Sequence, residues 1–489
     1  MNEVSLKRLL NKKIPMKKSL IWFRNDLRVH DNEALIKAAQ ANEILPIYCF
    51  DPRHFAKTSF GFQKTGAFRA QFLVETLTDL RSTLPEMGGD LIIRKGMPEE
   101  IIPKLMNEYD IDLMFTQKEI TREEIDVEHA LKAQIKDKIS FVWGNSLYHI
   151  NDIPFEKNDI PNVFTKFRKK TEEKAKIRKE YEIPSNLKLL EGIDPGEIPS
   201  VTDLGLNEVK KDERSVLHFK GGESEALVRL REYFWEGDHL KSYKFTRNGL
   251  LGANYSSKFS PWLANGSLSP RRIYWEVSQY QEKRKKNVST YWMIFELIWR
   301  DYFRFSAWKY GDKIFWPSGI QGKQRKWNED RNSFQKWAEG KTGIPFIDAN
   351  MLELNKTGYM SNRGRQNVAS FLAQNLNLDW RMGAEYFESL LLDYDPCSNY
   401  GNWAYNSTVG HDPRNRYFNI VNQAQKYDTD GEYVRKWIPE LKDVPNEYIH
   451  EPHKMNPEQQ TLFNVKIGAE YPKPMINLDE SYEEIKARD

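Results

Sequence analysis

The chain has 489 residues, too many for one ordinary hydrophobic core, so we expect two or three domains. Its net charge of +3 and isoelectric point of about 8.4 make it only mildly basic, so a nucleic-acid partner would have to meet a local basic surface. The two cysteines, Cys49 and Cys397, exclude a disulfide framework and a cysteine-based metal site, and they suit a reducing cytoplasm.

The N-terminal segment, residues 1–16, is Lys-rich and has no long apolar run. It therefore lacks the hydrophobic region of a signal peptide, and we expect a loose extension with Met16 as a candidate start. No stretch elsewhere reaches the roughly 18 apolar residues of a membrane span, so we predict a cytoplasmic protein without a membrane partner.

Short apolar runs alternate with amphipathic segments over residues 17–150. The runs, all rich in aliphatic and aromatic residues, are SLIWF, ILPIYCF, DLIIR, DLMFT and ISFVW. Four helical segments separate them, at residues 32–40, 66–84, 98–109 and 121–133. This alternation predicts an α/β domain with a doubly wound, mainly parallel sheet. Such sheets bind ligands at the carboxyl ends of their strands, where this chain has polar loops such as RNDLRVHDN.

The chain changes character after the predicted α/β domain. Over residues 151–223 prolines and glycines accumulate and hydrophobic periodicity fades, which predicts an interdomain linker. Within it, VFTKFRKKTEEKAKIRKEYE interleaves basic residues with glutamates, a pattern that favours a solvated helix over a nucleic-acid-binding stripe. Over residues 224–489 helical periodicity dominates and strand patterns nearly vanish, which predicts a large all-α domain.

Common nucleotide-binding and hydrolase signatures are absent from the sequence. No GxGxxG follows a predicted strand, which argues against a Rossmann-type dinucleotide site. The tripeptide GKT at residues 340–342 resembles the end of a P-loop, but position 335 is Gln and the preceding segment reads as helix. No serine-centred nucleophile motif is present either.

Polar residues nevertheless recur at close spacing within the predicted helical domain. A turn with three serines precedes a helix and could hold a pyrophosphate through N–H groups and hydroxyls, although an ordinary N-cap needs only one serine. Glu296 and Arg300 lie at i and i+4 of a helix, which alone indicates only a helix ion pair. Residues 358–405 place further charged and amide groups between two apolar stripes, where charges need a partner or a polar ligand.

Seven long motifs occur in order along the chain: WFRNDLRVHDN, SSKFSPWLANGSLSPR, FELIWRDYFRF, EGKTGIPFID, GYMSNRGRQNVASF, DYDPCSNYGNW and NRYFN. Through them the sequence resembles the photolyase/cryptochrome family over nearly its whole length from Met16, and most closely the DASH-type cryptochromes. The resemblance implies an α/β antenna domain, a C-terminal helical domain that binds FAD, and a lyase of the deoxyribodipyrimidine photolyase type.

The resemblance also implies a set of residues around FAD. They are, from the phosphate end toward the inner wall, Tyr243, Ser256, Ser257, Lys258, Phe259, Ser260, Glu296, Arg300, Asn362 and Arg365, followed by the acidic pair Asp393 and Asp395. Asn399 matches the position that faces flavin N5, where a neutral amide tolerates the reduced, light-active flavin.

Three tryptophans match the electron-transfer triad of the family, which runs from the flavin to the surface: Trp403, Trp380 and Trp327. Without the resemblance they would be interpreted as core residues, since the chain contains 14 tryptophans. In the family, one indole gives an electron to the excited flavin and is refilled by the next.

The implied substrate is damaged DNA. Trp299 is expected to stack on a flipped pyrimidine dimer and Glu296 to act on its carbonyl groups. Arg363 is expected to hold phosphates, and further contacts with DNA are expected at Asn362, Gln366 and Tyr405. Tyr405 stands where duplex-acting photolyases usually carry Trp, and Gln366 replaces an apolar residue. Both departures are those of the DASH branch, so single-stranded or looped DNA is the expected substrate.

Two further features bear on the subclass. Neither Asn362 nor Gln366 is histidine, the residue that (6-4) photolyases place at both positions, so that activity is not expected. Glu119 falls where related proteins hold a folate, which implies 5,10-methenyltetrahydrofolate as an antenna. The expected function is therefore repair of cyclobutane pyrimidine dimers by a monomer. The alternative is a blue-light photoreceptor that signals through flavin photoreduction.

Overall fold

The computed structural model of the protein describes residues 16–412, 414 and 417–488. Apart from Met16, the predicted N-terminal extension lies outside the described residues. The first part of the chain forms one five-stranded parallel sheet in the order β3-β2-β1-β4-β5. Its strands are β1 (Lys18–Phe23), β2 (Glu43–Phe50), β3 (Ile92–Lys95), β4 (Leu113–Gln117) and β5 (Ile139–Val142).

Side chains of the central strand alternate between two apolar layers. Ile21 and Phe23 belong to one buried cluster, and Leu20 and Trp22 belong to another on the opposite face. The helices that connect the strands are α1 (Glu33–Ala38), α2 (Ala67–Thr83), α3 (Pro98–Glu108) and α4 (Arg122–Ile135). The predicted doubly wound α/β fold is confirmed, and the strand order reverses between β1 and β4, where such sheets bind ligands.

The segment predicted as a linker is mostly irregular, but it is not simply a spacer. Leu190 N donates to Ile44 O at 3.0 Å, so this segment runs beside the start of β2. Helix α5 (Phe164–Lys174) buries Phe164, Phe167 and Thr171. The prediction of a solvated helix holds for most of its charged residues, which are exposed, but not for one face, where two phenylalanines and a threonine at i, i+3 and i+7 are buried.

The remainder of the described chain is helical. Its helices are α6 (Glu223–Arg231), α7 (Tyr243–Thr246), α8 (Ser260–Ala264), α9 (Pro270–Lys283), α10 (Val288–Tyr310), α11 (Arg331–Ala338), α12 (Pro345–Thr357), α13 (Asn362–Ser370), α14 (Trp380–Leu390), α15 (Pro396–Asn406), α16 (Ile420–Tyr427), α17 (Glu432–Trp437), α18 (Pro457–Leu462) and α19 (Leu478–Ala487). Within the described residues, no helix is both long and apolar enough to cross a membrane.

Helix α10 lies at the centre of this helical part. A capping box between Asn287 and Thr290 fixes its start, since each side chain pairs with the other residue's backbone. The helix is 23 residues long and packs against α5, α7, α9 and α15. Because protein covers it on several sides, its charged residues must find partners in the neighbouring elements.

Buried charges join the α/β part to the helical part. The loop after β1 places Asp31 against Arg271 of α9, and the two form a bidentate ion pair with N–O distances of 2.9 and 2.7 Å. Both side chains are almost fully buried. Arg28 of the same loop donates to the carbonyl oxygens of Gly266 and Gly144 at 2.7 and 3.1 Å. The polar strand-end loop thus serves as a docking surface for the second domain.

We expect Arg271→Met to destabilise the protein by about 3–5 kcal/mol, because it leaves the Asp31 carboxylate buried without its partner. The urea midpoint of unfolding should fall accordingly. The double variant Asp31→Asn/Arg271→Met should recover part of the loss, since no charge then remains unpaired. Lys486→Met, at an exposed pair with Glu483, is the control and should leave the midpoint unchanged. Equal midpoints for Arg271→Met and the control would contradict the assignment.

Candidate functional site

A buried arginine shapes the turn that the sequence suggested for phosphate binding. Arg229 of α6 donates to the backbone oxygens of Ala253, Ser256 and Ser257 at 3.0, 3.3 and 3.1 Å. Because these carbonyl oxygens are held by the guanidinium, the hydroxyls and N–H groups of the turn remain for a ligand. The sequence analysis did not identify Arg229, which lies some 25 residues upstream of the turn and matches no local motif.

Lys258 is the unusual member of this turn. Its backbone has φ 58°, and its side chain is only 3 % exposed, with Nζ 3.3 Å from the ring centre of Tyr255. No hydrogen-bond acceptor for Nζ occurs among the described residues. Burial, together with the nearby Arg229, lowers the pKa of the amine to about 6. An anionic group would restore the ammonium form, so the turn fits the pyrophosphate of FAD.

The start of α13 supplies a second polar wall. Arg365 forms a bidentate ion pair with Asp393, at 3.0 and 2.9 Å, and also donates to Met360 O at 2.9 Å. Asn362 and Gln366 lie at i and i+4 on this helix, so they share a face. The Gln366 oxygen Oε1 is buried without a donor among the described residues, which leaves it available to a ligand.

The two aspartates predicted as a pair beside the flavin have different partners. Asp393 pairs with Arg365, whereas Asp395 caps α15 by accepting from Ser398 N at 2.7 Å and lies 3.3 Å from Arg304. Arg304 also pairs with Glu119 at 3.2 Å. The predicted folate residue is thus buried in an ion pair with α10. Arg304 was missed by the sequence analysis, although it lies one turn after Arg300.

Two other predicted flavin residues are oriented by backbone oxygens. Asn399 donates its amide to Ala384 O at 2.9 Å, so its own oxygen is the atom that remains for a protonated nitrogen. Arg300 donates to Asn145 O at 2.6 Å and to Leu263 O at 3.0 Å. Arg300 therefore bridges the end of the α/β part and α8 of the helical part.

Glu296 forms an ion pair that the sequence analysis did not foresee. Its Oε1 lies 3.0 Å from Nη1 of Arg247, which follows α7 directly. Burial raises the pKa of Glu296, and the positive charge of Arg247 opposes that rise. The hydroxyl of Tyr243, whose pKa is raised by burial and by the negative charge of Glu296, belongs to the same neighbourhood. A carboxyl group whose pKa burial raises is a candidate proton carrier.

Trp299 has one aromatic face already covered. Its ring stacks on Phe164 of α5 with centroids 3.6 Å apart and an interplanar angle of 11°. Tyr405 approaches edge-on, with centroids 6.3 Å apart at 88°. The structure brings the two predicted base-contacting rings together, but it leaves Trp299 only one face for a nucleobase.

The three tryptophans of the predicted triad differ in exposure. Trp403 and Trp380 are buried, and Trp327 is half-buried. Gly383, one turn after Trp380, leaves room for the Trp403 ring, since an added Cβ would lie 2.2 Å from that ring. The indole nitrogens of Trp380 and Trp327 both donate to Pro317 O, at 3.2 and 3.1 Å. This shared acceptor keeps the second and third predicted members of the triad adjacent.

Arg363 faces a different neighbour from Arg365. It donates to Asn248 Oδ1 at 3.1 Å and its guanidinium lies 4.6 Å from the ring centre of Tyr427. Because Asn248 follows Arg247 directly, Arg363 and Arg247 form a basic pair beside Glu296.

Comparison with known proteins agrees with this geometry. Residues 292–488 match the family model described as the FAD binding domain of DNA photolyase, and residues 19–185 match the one described as DNA photolyase. A Gloeobacter violaceus protein named cryptochrome DASH is 52 % identical over 467 residues, 94 % of this chain and 93 % of that protein. The chain belongs to the photolyase/cryptochrome family.

Other members of the family extend the similarity to vertebrates and to solved structures. A Xenopus laevis cryptochrome DASH is 48 % identical over 95 % of this chain and 90 % of its own length. A Synechocystis cryptochrome structure superposes with a TM-score of 0.94 at 47 % identity, covering 97 % of this chain and 99 % of that one. A class III photolyase from Agrobacterium tumefaciens gives 0.85 at 27 % identity, with coverages of 97 % and 98 %.

A chamber of about 780 Å³ lies between the two domains of this family member. It is lined by residues that follow β1 and β2, by the start of α4, and by Tyr394, Asp395 and Tyr400 of the helical domain. It therefore occupies the strand-end position where doubly wound sheets bind ligands. Arg69 borders it with its Nε buried and unpartnered among the described residues, and Glu388 has a pKa raised to about 7 by burial.

We expect Lys258→Met to weaken FAD binding by about tenfold to a hundredfold, since a charge-assisted hydrogen bond to phosphate contributes about 1.5–3 kcal/mol. The thermal midpoint of the flavin-free variant should not fall, because the amine is buried without an acceptor. The FAD affinity of each variant is measured by fluorescence during titration of the flavin-free protein with FAD. The control is Lys283→Met on exposed α9 surface. Unchanged FAD affinity in Lys258→Met would show that Lys258 does not bind the phosphates of FAD.

Proposed function

We propose that the protein is a blue-light-driven, FAD-dependent photolyase that splits cyclobutane pyrimidine dimers in single-stranded or looped DNA. One arrangement carries the proposal. Helix α10 presents Glu296 and Trp299 three residues apart, with Arg247 on the carboxyl group and Tyr405 at a right angle to the indole. An acid, a cation and two aromatic rings are the groups that a flipped, negatively charged pyrimidine pair requires.

The residues proposed to hold FAD surround the turn at Lys258 and the start of α13. They are Tyr243, Ser256, Ser257, Lys258, Phe259, Ser260, Asn362, Arg365, Asp393 and Asn399. Reduced FAD, when bound, supplies under blue light the electron that splits the cyclobutane ring and receives it back afterwards.

The chain's own residues then hold and stabilise the substrate. Trp299 and Tyr405 contact the bases, and Arg247 with Arg363 binds the adjoining phosphates, which makes binding sensitive to salt. A protonated Glu296 donates to a pyrimidine carbonyl oxygen and stabilises the negative charge that the dimer carries before its ring opens. Burial favours that protonated form by raising the pKa of Glu296.

The preference for single strands follows from the limited stacking surface of the pocket. Base-on-aromatic stacking contributes about 1–3 kcal/mol per base, and extruding paired bases costs a few kcal/mol. Phe164 already covers one face of Trp299, and the second ring is tyrosine, which is smaller than tryptophan. The pocket therefore offsets less of the extrusion energy in a duplex, whereas unpaired bases require none.

The interdomain chamber is the proposed antenna site, with 5,10-methenyltetrahydrofolate as its ligand. Its aromatic residues, such as Tyr394 and Tyr400, suit a pterin ring, and the unpartnered Nε of Arg69 suits an anionic or carbonyl group. Glu119 is not part of the lining, because it is engaged by Arg304. Its proposed role is therefore to position Arg304 and Asp395 at the chamber wall.

Illumination of the reduced protein with a thymine-dimer oligonucleotide tests the repair function. Dimers should disappear faster from the single strand than from the matching duplex. Absence of light-dependent loss from single strands, while absorption confirms reduced FAD, would defeat the proposal.

We expect Glu296→Gln to slow repair about fivefold at saturating substrate, the equivalent of one hydrogen bond of roughly 1 kcal/mol, with little change in binding. Repair by the unmodified protein should decline as pH rises through the pKa of Glu296, because the proton is then lost. The glutamine variant should show no such decline. Glu282→Gln, on the exposed side of α9, is the control. A wild-type-like pH profile in Glu296→Gln would exclude Glu296 as the proton carrier.

We expect Trp380→Phe to abolish photoreduction of oxidised FAD, because phenylalanine is not oxidised by excited flavin. Repair by the chemically reduced variant should persist, since the triad takes no part in ring opening. Trp337→Phe is a matched control, because Trp337 is as buried as Trp380 and its ring centroid lies 6.1 Å from that of Trp403, but it is not a member of the predicted triad. If photoreduction survives in Trp380→Phe and is lost in Trp337→Phe, the electron path to FAD runs through Trp337 and not through Trp380.

The indole chain also supports a second candidate function, a blue-light photoreceptor. Trp327 brings the path to a half-exposed surface, where oxidation would change the charge next to Arg325, whose guanidinium lies 4.2 Å from the indole. A light-dependent partner that binds the wild-type protein and not Trp380→Phe, without dimer loss in the repair assay, would favour this function.

A further inference from the structure

The short helix α7 exposes a large aromatic residue at the edge of the proposed substrate pocket. Phe245 is 74 % exposed, whereas Tyr243 two residues earlier is 7 % exposed and packed inward. The helix is anchored, since Lys244 N donates to Ser289 Oγ at 3.2 Å near the start of α10. Phe245 is therefore held on an ordered element, with its ring directed away from the core.

Positively charged residues flank Phe245 along the chain. Lys244 precedes it, with Nζ 4.5 Å from the ring centre of Trp292. Arg247 follows two residues later and pairs with Glu296, and Arg363 reaches the same segment through Asn248. An aromatic residue among cations beside a nucleobase pocket has the composition of a single-strand binding surface.

The charges distinguish Phe245 from other exposed apolar residues of the chain. Leu462 is exposed to a similar extent, 71 %, but its chain neighbours Thr461 and Phe463 carry no positive charge. The chain neighbours of Phe245 are lysine and threonine, so its exposed ring does not belong to a continuous run of apolar residues. Cations that bind phosphates on either side of a free ring favour a strand whose base meets that ring.

We propose that Phe245 stacks on an unpaired nucleobase next to the lesion while Lys244, Arg247 and Arg363 hold the phosphates of the same strand. The proposal rests on the proposed function, since it extends the same pocket. In a duplex the neighbouring bases are already paired and stacked, so Phe245 gains little there. Phe245 thus contributes to selecting single-stranded DNA.

The test compares Phe245→Ala, Phe245→Trp and the matched control Leu462→Ala in the FAD-loaded full chain. The probes are a single-stranded thymine-dimer oligonucleotide, the same strand without a dimer, and the matching duplex. Anisotropy titration in the dark measures binding, and 2-aminopurine placed beside the dimer reports stacking by its quenching.

Phe245→Ala should bind both single strands about fivefold to a hundredfold more weakly, the range expected for one base–aromatic stack. It should bind the duplex with less than about a twofold change, and 2-aminopurine quenching should be lost. Phe245→Trp should retain both properties, and Leu462→Ala should behave as wild type. Because Phe245 is exposed, none of these changes should alter FAD content or the thermal midpoint.

Equal weakening on single strand and duplex, or unchanged single-strand affinity, would overturn the proposal. Failure of the repair function has a different signature. In that case the wild-type protein shows no dimer loss under light, while binding of the undamaged single strand in the dark still reports whether Phe245 stacks.

Discussion

The structure depends on how the buried charges of α10 are neutralised. Asp301 accepts from Leu147 N and Tyr148 N at 3.0 and 2.8 Å, and Arg300 donates to Asn145 O, so both charges bind the end of the α/β domain. Arg304 pairs with Glu119 and Asp395. Only Glu296 has its partner, Arg247, on the substrate side. Successive turns of α10 thus bind different neighbouring segments. The position of the proposed substrate pocket on α10 therefore depends on the contacts of this helix with the α/β domain.

The structure contains two separate candidate ligand-binding regions. The turn gripped by Arg229 and the Arg365–Asp393 pair lie within the helical domain, whereas the chamber lies at the strand ends of the sheet. Asp395 lines the chamber and caps α15, the helix that carries Asn399 and Trp403. A ligand in the chamber would therefore contact the residue that caps the helix carrying Asn399, the amide proposed to face the flavin. The proposed antenna site and the proposed FAD site are thus connected through α15.

Much of the fold and part of the candidate site could be predicted from the sequence, because these features depend on hydrophobic periodicity and local motifs. The five apolar runs became the five strands, and the helical pattern after residue 224 became the helical domain. Motif matching also assigned residues that the fold brings together, such as Arg365 with Asp393. It did not reveal that Arg229 donates to backbone oxygens of the serine-rich turn, or that Arg300 donates to Asn145 O. The orientation of these side chains depends on backbone oxygens that lie far away in the sequence. One face of helix α5 was misjudged because its charges outnumber the three residues that it buries.

The proposed preference for single-stranded DNA depends on how the aromatic stacking surface is distributed. Inside the pocket, Phe164 occupies one face of Trp299 and Tyr405 meets that indole edge-on, so internal stacking is limited. At the rim, the exposed ring of Phe245 follows Lys244 and precedes Arg247 in the chain, and such cations would attract a strand regardless of its sequence. A paired base can reach neither ring without first leaving its stack, whereas an unpaired base can reach both. Under the proposed function, the protein would therefore distinguish DNA by whether its bases are already unpaired, and it would need no hydrogen bonds to the neighbouring bases.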